Sequence, residues 1–192
     1  MAAWAPTRAA TGGLRWEVGA TPAEGTLTLG QLVRESEAAL FVGRTRELRA
    51  VRAALEEASA RPALVYVHGP AGAGKSALLN ACRRLAEEAA CRPLTLAAEA
   101  GSEGGALVLL LDRLERALAL APAPGEAPET RLERLAAAAA REAAERGLAL
   151  LVDDYDRLGG EEPLFRERFL ERLGPGTCAV LAGRRPPAEL WP

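Results

Sequence analysis

The chain has 192 residues, with 24 lysines and arginines against 26 aspartates and glutamates, a formal net charge of −2 and 49% hydrophobic residues. That composition suits one ordinary domain with a real core and argues against disorder, while the near-neutral charge supplies no overall basic field for nucleic acid. No apolar run approaches the ~20 residues of a membrane span. The opening "MAAWAPTRAATGG" lacks the apolar segment of a secretory signal, and Cys82, Cys91 and Cys178 show no disulfide or metal-site spacing, so a cytoplasmic protein with buried, reduced thiols is expected.

Residues 1–26 mix Ala, Gly, Thr and Pro without period and read as a flexible tail, leaving a single domain over 27–192. "LTLGQLVRESEAAL" is a possible short helix, followed by "FVGR". In "TRELRAVRAALEEASA" the residues Leu48, Val51, Leu55 and Ala58 share one helical face. "ALVYVH", 63–68, is a short apolar run and reads as a strand buried on both faces. A Gly-rich loop comes next, then a helix over "SALLNACRRLAEEAA", a weaker strand over "RPLTLAAEA" and a helix over "GALVLLLDRLERALALA". The Pro-rich "APAPGEAP" breaks the pattern.

The next helix, "ETRLERLAAAAAREAAERG", aligns Leu132, Leu135, Ala136, Ala139 and Ala143, and Gly147 stops it. "LALLV", 148–152, is a buried strand running into "DDYD". "PLFRERFLERL" sets Phe165, Phe169 and Leu173 on one side of a helix, and "TCAVLAG", 177–183, is the last strand. Strands alternating with helices predict an α/β fold, a mainly parallel sheet covered on both faces.

The loop between the first strand and its helix is the most specific signal. Gly69-Pro70-Ala71-Gly72-Ala73-Gly74-Lys75-Ser76 satisfies G-x-x-x-x-G-K-[ST] in full, and Lys75 is the only lysine in the chain. Glycines allow backbone conformations denied to other residues and let N–H groups close around a phosphate. The helix beginning near Gly74 adds unpaired donors and a positive dipole end. Ser76 offers a hydroxyl to Mg²⁺, and Lys75 reaches the terminal phosphates as a compact charge that a planar guanidinium would not match. A buried parallel strand delivers its last side chains to the carboxyl edge of the sheet, so Asp153 is placed to hold Mg²⁺ and Asp154 to orient or deprotonate water, with Asp156 a weaker candidate for either role.

Together these residues resemble the AAA-type ATP-binding domain of the STAND class of signalling NTPases, as in MalT-like LuxR-type bacterial regulators and origin-recognition-like AAA proteins. "FVGRTREL" is similar to that family's opening box, "GPAGAGKS" to its Walker A loop, "LALLVDDYD" to Walker B, and "CAVLAGRRPP" to the strand with a terminal arginine. The resemblance implies a P-loop three-layer sandwich, with Val42, Gly43 and Arg44 bordering the adenine and ribose. It also implies Arg184 as a γ-phosphate sensor, with Arg185 the neighbouring alternative. It implies ATP and Mg²⁺ as cofactors and further domains or protein partners. Members continue past this point with a fifth strand and a helical lid in the order 5-1-4-3-2, so the chain reads as a fragment with its first strand at an open edge. The expected function is ATP binding with slow Mg-dependent hydrolysis as a regulatory switch. The alternatives are a passive nucleotide-binding module of a transcription regulator and a small-molecule kinase.

Overall fold

A computed structural model describes residues 44–99, 105–123 and 125–186. The expected tail over 1–26, the possible helix over 27–40, and Val42 and Gly43 lie outside these residues. Four strands, β1 (Ala63–His68), β2 (Arg92–Ala97), β3 (Leu148–Asp153) and β4 (Thr177–Gly183), form one sheet in the order β1-β4-β3-β2. Every pairing is parallel.

Alternation along β3 explains why two layers of helix are needed. Leu148, Leu150 and Val152 face one side, where α3 (Ala106–Ala117) and α4 (Pro128–Arg146) supply Leu107, Leu110, Leu111, Leu114, Leu132 and Leu135. Ala149 and Leu151 face the other side, with Cys178 and Val180 of β4, under Val51 and Leu55 of α1 (Thr45–Glu57) and Leu78, Leu79 and Cys82 of α2 (Lys75–Glu88). Both central strands are buried along almost their whole length and, Thr177 and Asp153 at their ends apart, carry no polar side chain, so helices on both faces remove them from water; the result is the expected α/β P-loop sandwich. Burial raises the Cys82 thiol to about 11 and the Cys178 thiol to about 12, so both pack as neutral apolar groups.

The four strands follow the 1-4-3-2 part of the expected order. Because β1 neighbours β4 and not β2, the loops leaving β1 and β3 pass to opposite faces, and a crevice opens between them at the carboxyl ends. That crevice positions the site.

Three sequence expectations need correction. β1 is not buried on both faces: only Val67 is buried and Leu64 is 51% exposed, because β1 is the sheet edge among the described residues. The helix expected through residue 121 stops at Ala117, where Ala119 takes a left-handed φ of 53° and the Leu120 N–H turns back to the Glu115 carbonyl at 2.8 Å. "PLFRERFLERL" is not one helix either. α5 (Glu162–Arg168) breaks at Phe169 (φ −123°, ψ −65°) and a single 3₁₀ turn, Leu170–Arg172, follows. The break keeps Phe165, Phe169 and Leu173 buried together, with the two phenyl rings stacked at 5.0 Å. Gly147 ends α4 as expected, at φ 72°, and a Cβ there would come within 2.9 Å of the Cys91 sulfur.

Candidate functional site

The Gly-rich loop leaves β1 and closes on the start of α2. Gly72 (φ 78°) and Gly74 (φ 77°) hold left-handed conformations that a side chain resists. Gly69, expected to need the same freedom, does not take a left-handed φ, and a Cβ there would make only an ordinary 3.5 Å contact with Ala73. Its N–H instead donates to the Gly183 carbonyl at 3.3 Å, tying the root of the loop to the end of β4. Gly74 is the N-cap of α2 and offers no side-chain acceptor, so the first-turn N–H groups stay available at the cavity.

Lys75 is 8% exposed. Its Nζ donates to the Gly69 carbonyl at 2.9 Å and the Pro70 carbonyl at 3.0 Å, which orients the ammonium over the loop. A buried charge needs partners, and two carbonyls leave its third donor for an incoming anion. Ser76 Oγ donates to Asp153 Oδ2 at 2.5 Å, while Asp153 Oδ1 accepts the Asp154 N–H at 2.9 Å. Asp154 lies in the left-handed region (φ 50°), which an aspartate tolerates. That turn carries the chain from β3 into the 3₁₀ segment Tyr155–Glu161.

These groups line one cavity of about 330 Å³ formed by Ala71, Gly72, Gly74, Lys75, Ser76, Ala77, Asp153, Asp154 and Arg184. The structure thus brings together Lys75, Ser76, Asp153, Asp154 and Arg184, from three separate stretches of sequence. Arg185 turns away and donates to the Asp156 carbonyl at 3.1 Å. Arg44 is not on the cavity wall: its guanidinium donates to the Ala73 carbonyl and pairs with Glu47 at 3.3 Å, bracing the loop from α1.

The donor set fits a hard divalent cation. Ser76 Oγ and Asp153 Oδ2 converge at the cavity, and Mg²⁺ takes one or two protein oxygens and completes its shell with waters and phosphate oxygens. The cradle fits an anion, with main-chain N–H groups, a helix N-terminus and one ammonium facing the same space.

Sequence reasoning missed Arg157, whose Nε lies 3.0 Å from Asp154 Oδ2. The signal was the three-residue spacing on a helical turn, which puts opposite charges on one face. It also missed Tyr66, whose hydroxyl donates to the Arg185 carbonyl at 3.1 Å.

Comparison with known proteins points the same way. No curated protein matches the chain. Among solved structures, Drosophila ORC bound to DNA superposes with a TM-score of 0.57 at 22% identity, over 84% of this chain and 42% of that one. Cdc6p from Pyrobaculum aerophilum gives 0.58 at 16% identity, over 75% of this chain and 39% of that one. The ORC2 protein of Aeropyrum pernix, in ADPNP–ADP complexes, gives 0.54 at 17%, over 76% and 41%. The chain therefore spans about two fifths of the length of these structures, and at such identities the likeness is one of fold. A family model described as an AAA ATPase domain matches residues 40–180, most of the sequence, and the chain belongs to that family.

Proposed function

We propose that this chain binds Mg-ATP and hydrolyses it slowly, as a switch of the STAND signalling type whose output passes to further domains or protein partners. The observation that carries this is the convergence of Lys75, Ser76, Asp153, Asp154 and Arg184 on one cavity of about 330 Å³. Lys75 and the N–H groups of Gly72–Ala77 would hold the β- and γ-phosphates. Ser76 and Asp153 would hold Mg²⁺, which neutralises phosphate charge when bound. Asp154 would orient the attacking water and accept its proton, and Arg184 would contact the terminal phosphate.

The Asp154–Arg157 pair favours slow turnover over fast. The Asp154 carboxylate is engaged with the Arg157 guanidinium at 3.0 Å, and it must leave that partner to reach water. A switch is served by such delay, because its states must outlast the signal.

The test is equilibrium nucleotide binding and phosphate release by the purified chain, with Lys75→Ala and Asp154→Ala. Binding lost only in Lys75→Ala, with release lost in both, supports the proposal. Binding without release in the parent chain supports a passive module, and no binding at all removes both.

A further inference from the structure

We propose that Asp156 is a positioning residue for nucleotide discrimination: it fixes the turn after β4 so that Arg184 stays on the wall of the phosphate cavity. This rests on the reading of Arg184 as the residue that contacts the terminal phosphate.

Of the three acids in "DDYD", Asp153 and Asp154 line the cavity and Asp156 does not. Its carboxylate points to the end of β4, where Oδ1 accepts the Arg184 N–H at 3.0 Å. Its carbonyl accepts Arg185 Nη2 at 3.1 Å. From the other neighbouring strand, the Tyr66 hydroxyl donates to the Arg185 carbonyl at 3.1 Å. The turn is therefore held from the β3 side by Asp156 and from the β1 side by Tyr66. Burial and then the Asp156 charge push the Tyr66 hydroxyl up to about 12, so it remains a proton donor at neutral pH.

Gly183 shows how closely the clamp fits. A Cβ there would collide with the Tyr66 hydroxyl and approach Asp156 Oδ1 to 3.0 Å, so the two side chains occupy the space a larger residue would need. Asp156 follows Asp154 by two residues, which ties the acidic wall of the cavity to the arginine wall through one turn.

The experiment measures ATP and ADP affinities of the full chain, with Arg184→Ala, Asp156→Ala, Asp156→Asn, Tyr66→Phe and the Asp156→Ala/Arg184→Ala double variant. Asp156→Ala and Arg184→Ala should each weaken ATP about tenfold and leave ADP within about twofold, the effect of one lost bond to a charged group. The double variant should be no worse than either single variant, because both remove the same contact. Asp156→Asn, which keeps the Oδ1 acceptor, should restore the ATP preference, and Tyr66→Phe should weaken ATP severalfold. Additive losses, or an ATP preference untouched by both Asp156→Ala and Tyr66→Phe while Arg184→Ala abolishes it, overturn the role of Asp156 and leave the Arg184 reading standing. An unchanged ATP preference in Arg184→Ala overturns that reading and this one with it. Should Asp156→Ala not fold, Tyr66→Phe decides: unaltered ATP affinity there contradicts the clamp.

Discussion

Lys75 shows why a chain that otherwise uses arginine keeps one lysine. The residue is 8% exposed, and its ammonium is already bonded to the carbonyls of Gly69 and Pro70 at 2.9 and 3.0 Å. A guanidinium is planar and longer, and cannot place its donors on both carbonyls and an anion within that loop. Lys75→Arg is therefore expected to weaken ATP at least about tenfold, close to Lys75→Ala, despite the conserved charge. Equilibrium titration with a fluorescent ATP analogue checks this, and parent-like affinity in Lys75→Arg would contradict the argument. At this scale much of the site was legible in the sequence, because a loop motif fixes residue types at fixed offsets whatever surrounds it. The bond of Arg44 to the Ala73 carbonyl was not legible, because only the packing of α1 against the loop reveals it. The direction of the Asp156 side chain was not legible either, since spacing cannot tell which way a side chain leaves a turn whose first residue is left-handed.

Among the elements, α3 and α4 are joined by a buried ionic cluster as well as by leucines. Glu115 is 2% exposed; its carboxylate meets Arg131 at 2.8 Å and Arg134 at 2.6 Å, and Asp112 and Glu126 complete the group. Desolvation pushes the Glu115 carboxyl upward, but the hydrogen bonds and charges of Arg131 and Arg134 outweigh it, and the group sits below the ordinary glutamate range. A folded value below the unfolded one gives stability that is present above about pH 4 and lost as pH falls through the folded value. The melting temperature of the parent should therefore fall on acidification below about pH 4. Glu115→Gln should be destabilised at neutral pH by about 3 kcal/mol, since two arginines lose their buried counter-charge. The gap between the two proteins should narrow in acid, and a gap independent of pH in thermal melts would contradict this. Element identity was readable from periodicity, whereas element ends were not. The unwinding after Ala117 is a local left-handed turn at Ala119, and the break at Phe169 accompanies the packing that seats Phe165, Phe169 and Leu173 in one core.

For the whole molecule, sheet order decides where chemistry can occur. Strand periodicity alone says that four strands exist; the resemblance supplied their order, and the order β1-β4-β3-β2 sends α2 to one face and α3 to the other. The resulting crevice collects one loop, two acids and one arginine that lie far apart in sequence. The apolar pattern of β1 misjudged its burial, because such a hexapeptide looks alike in the middle of a sheet and at its edge; the strand order taken from the resemblance set it at an edge, and the half-exposed Leu64 agrees among the described residues. The central claim is that the main chain of residues 69–77 wraps a triphosphate tail at the tips of β1, β3 and β4. Amide hydrogen exchange of the chain with and without Mg and a slowly hydrolysed ATP analogue tests it most directly. The account predicts marked slowing at Gly72–Ala77 with a smaller effect around Asp153–Asp156 and Arg184; unchanged exchange over 69–77 under saturating nucleotide would contradict it.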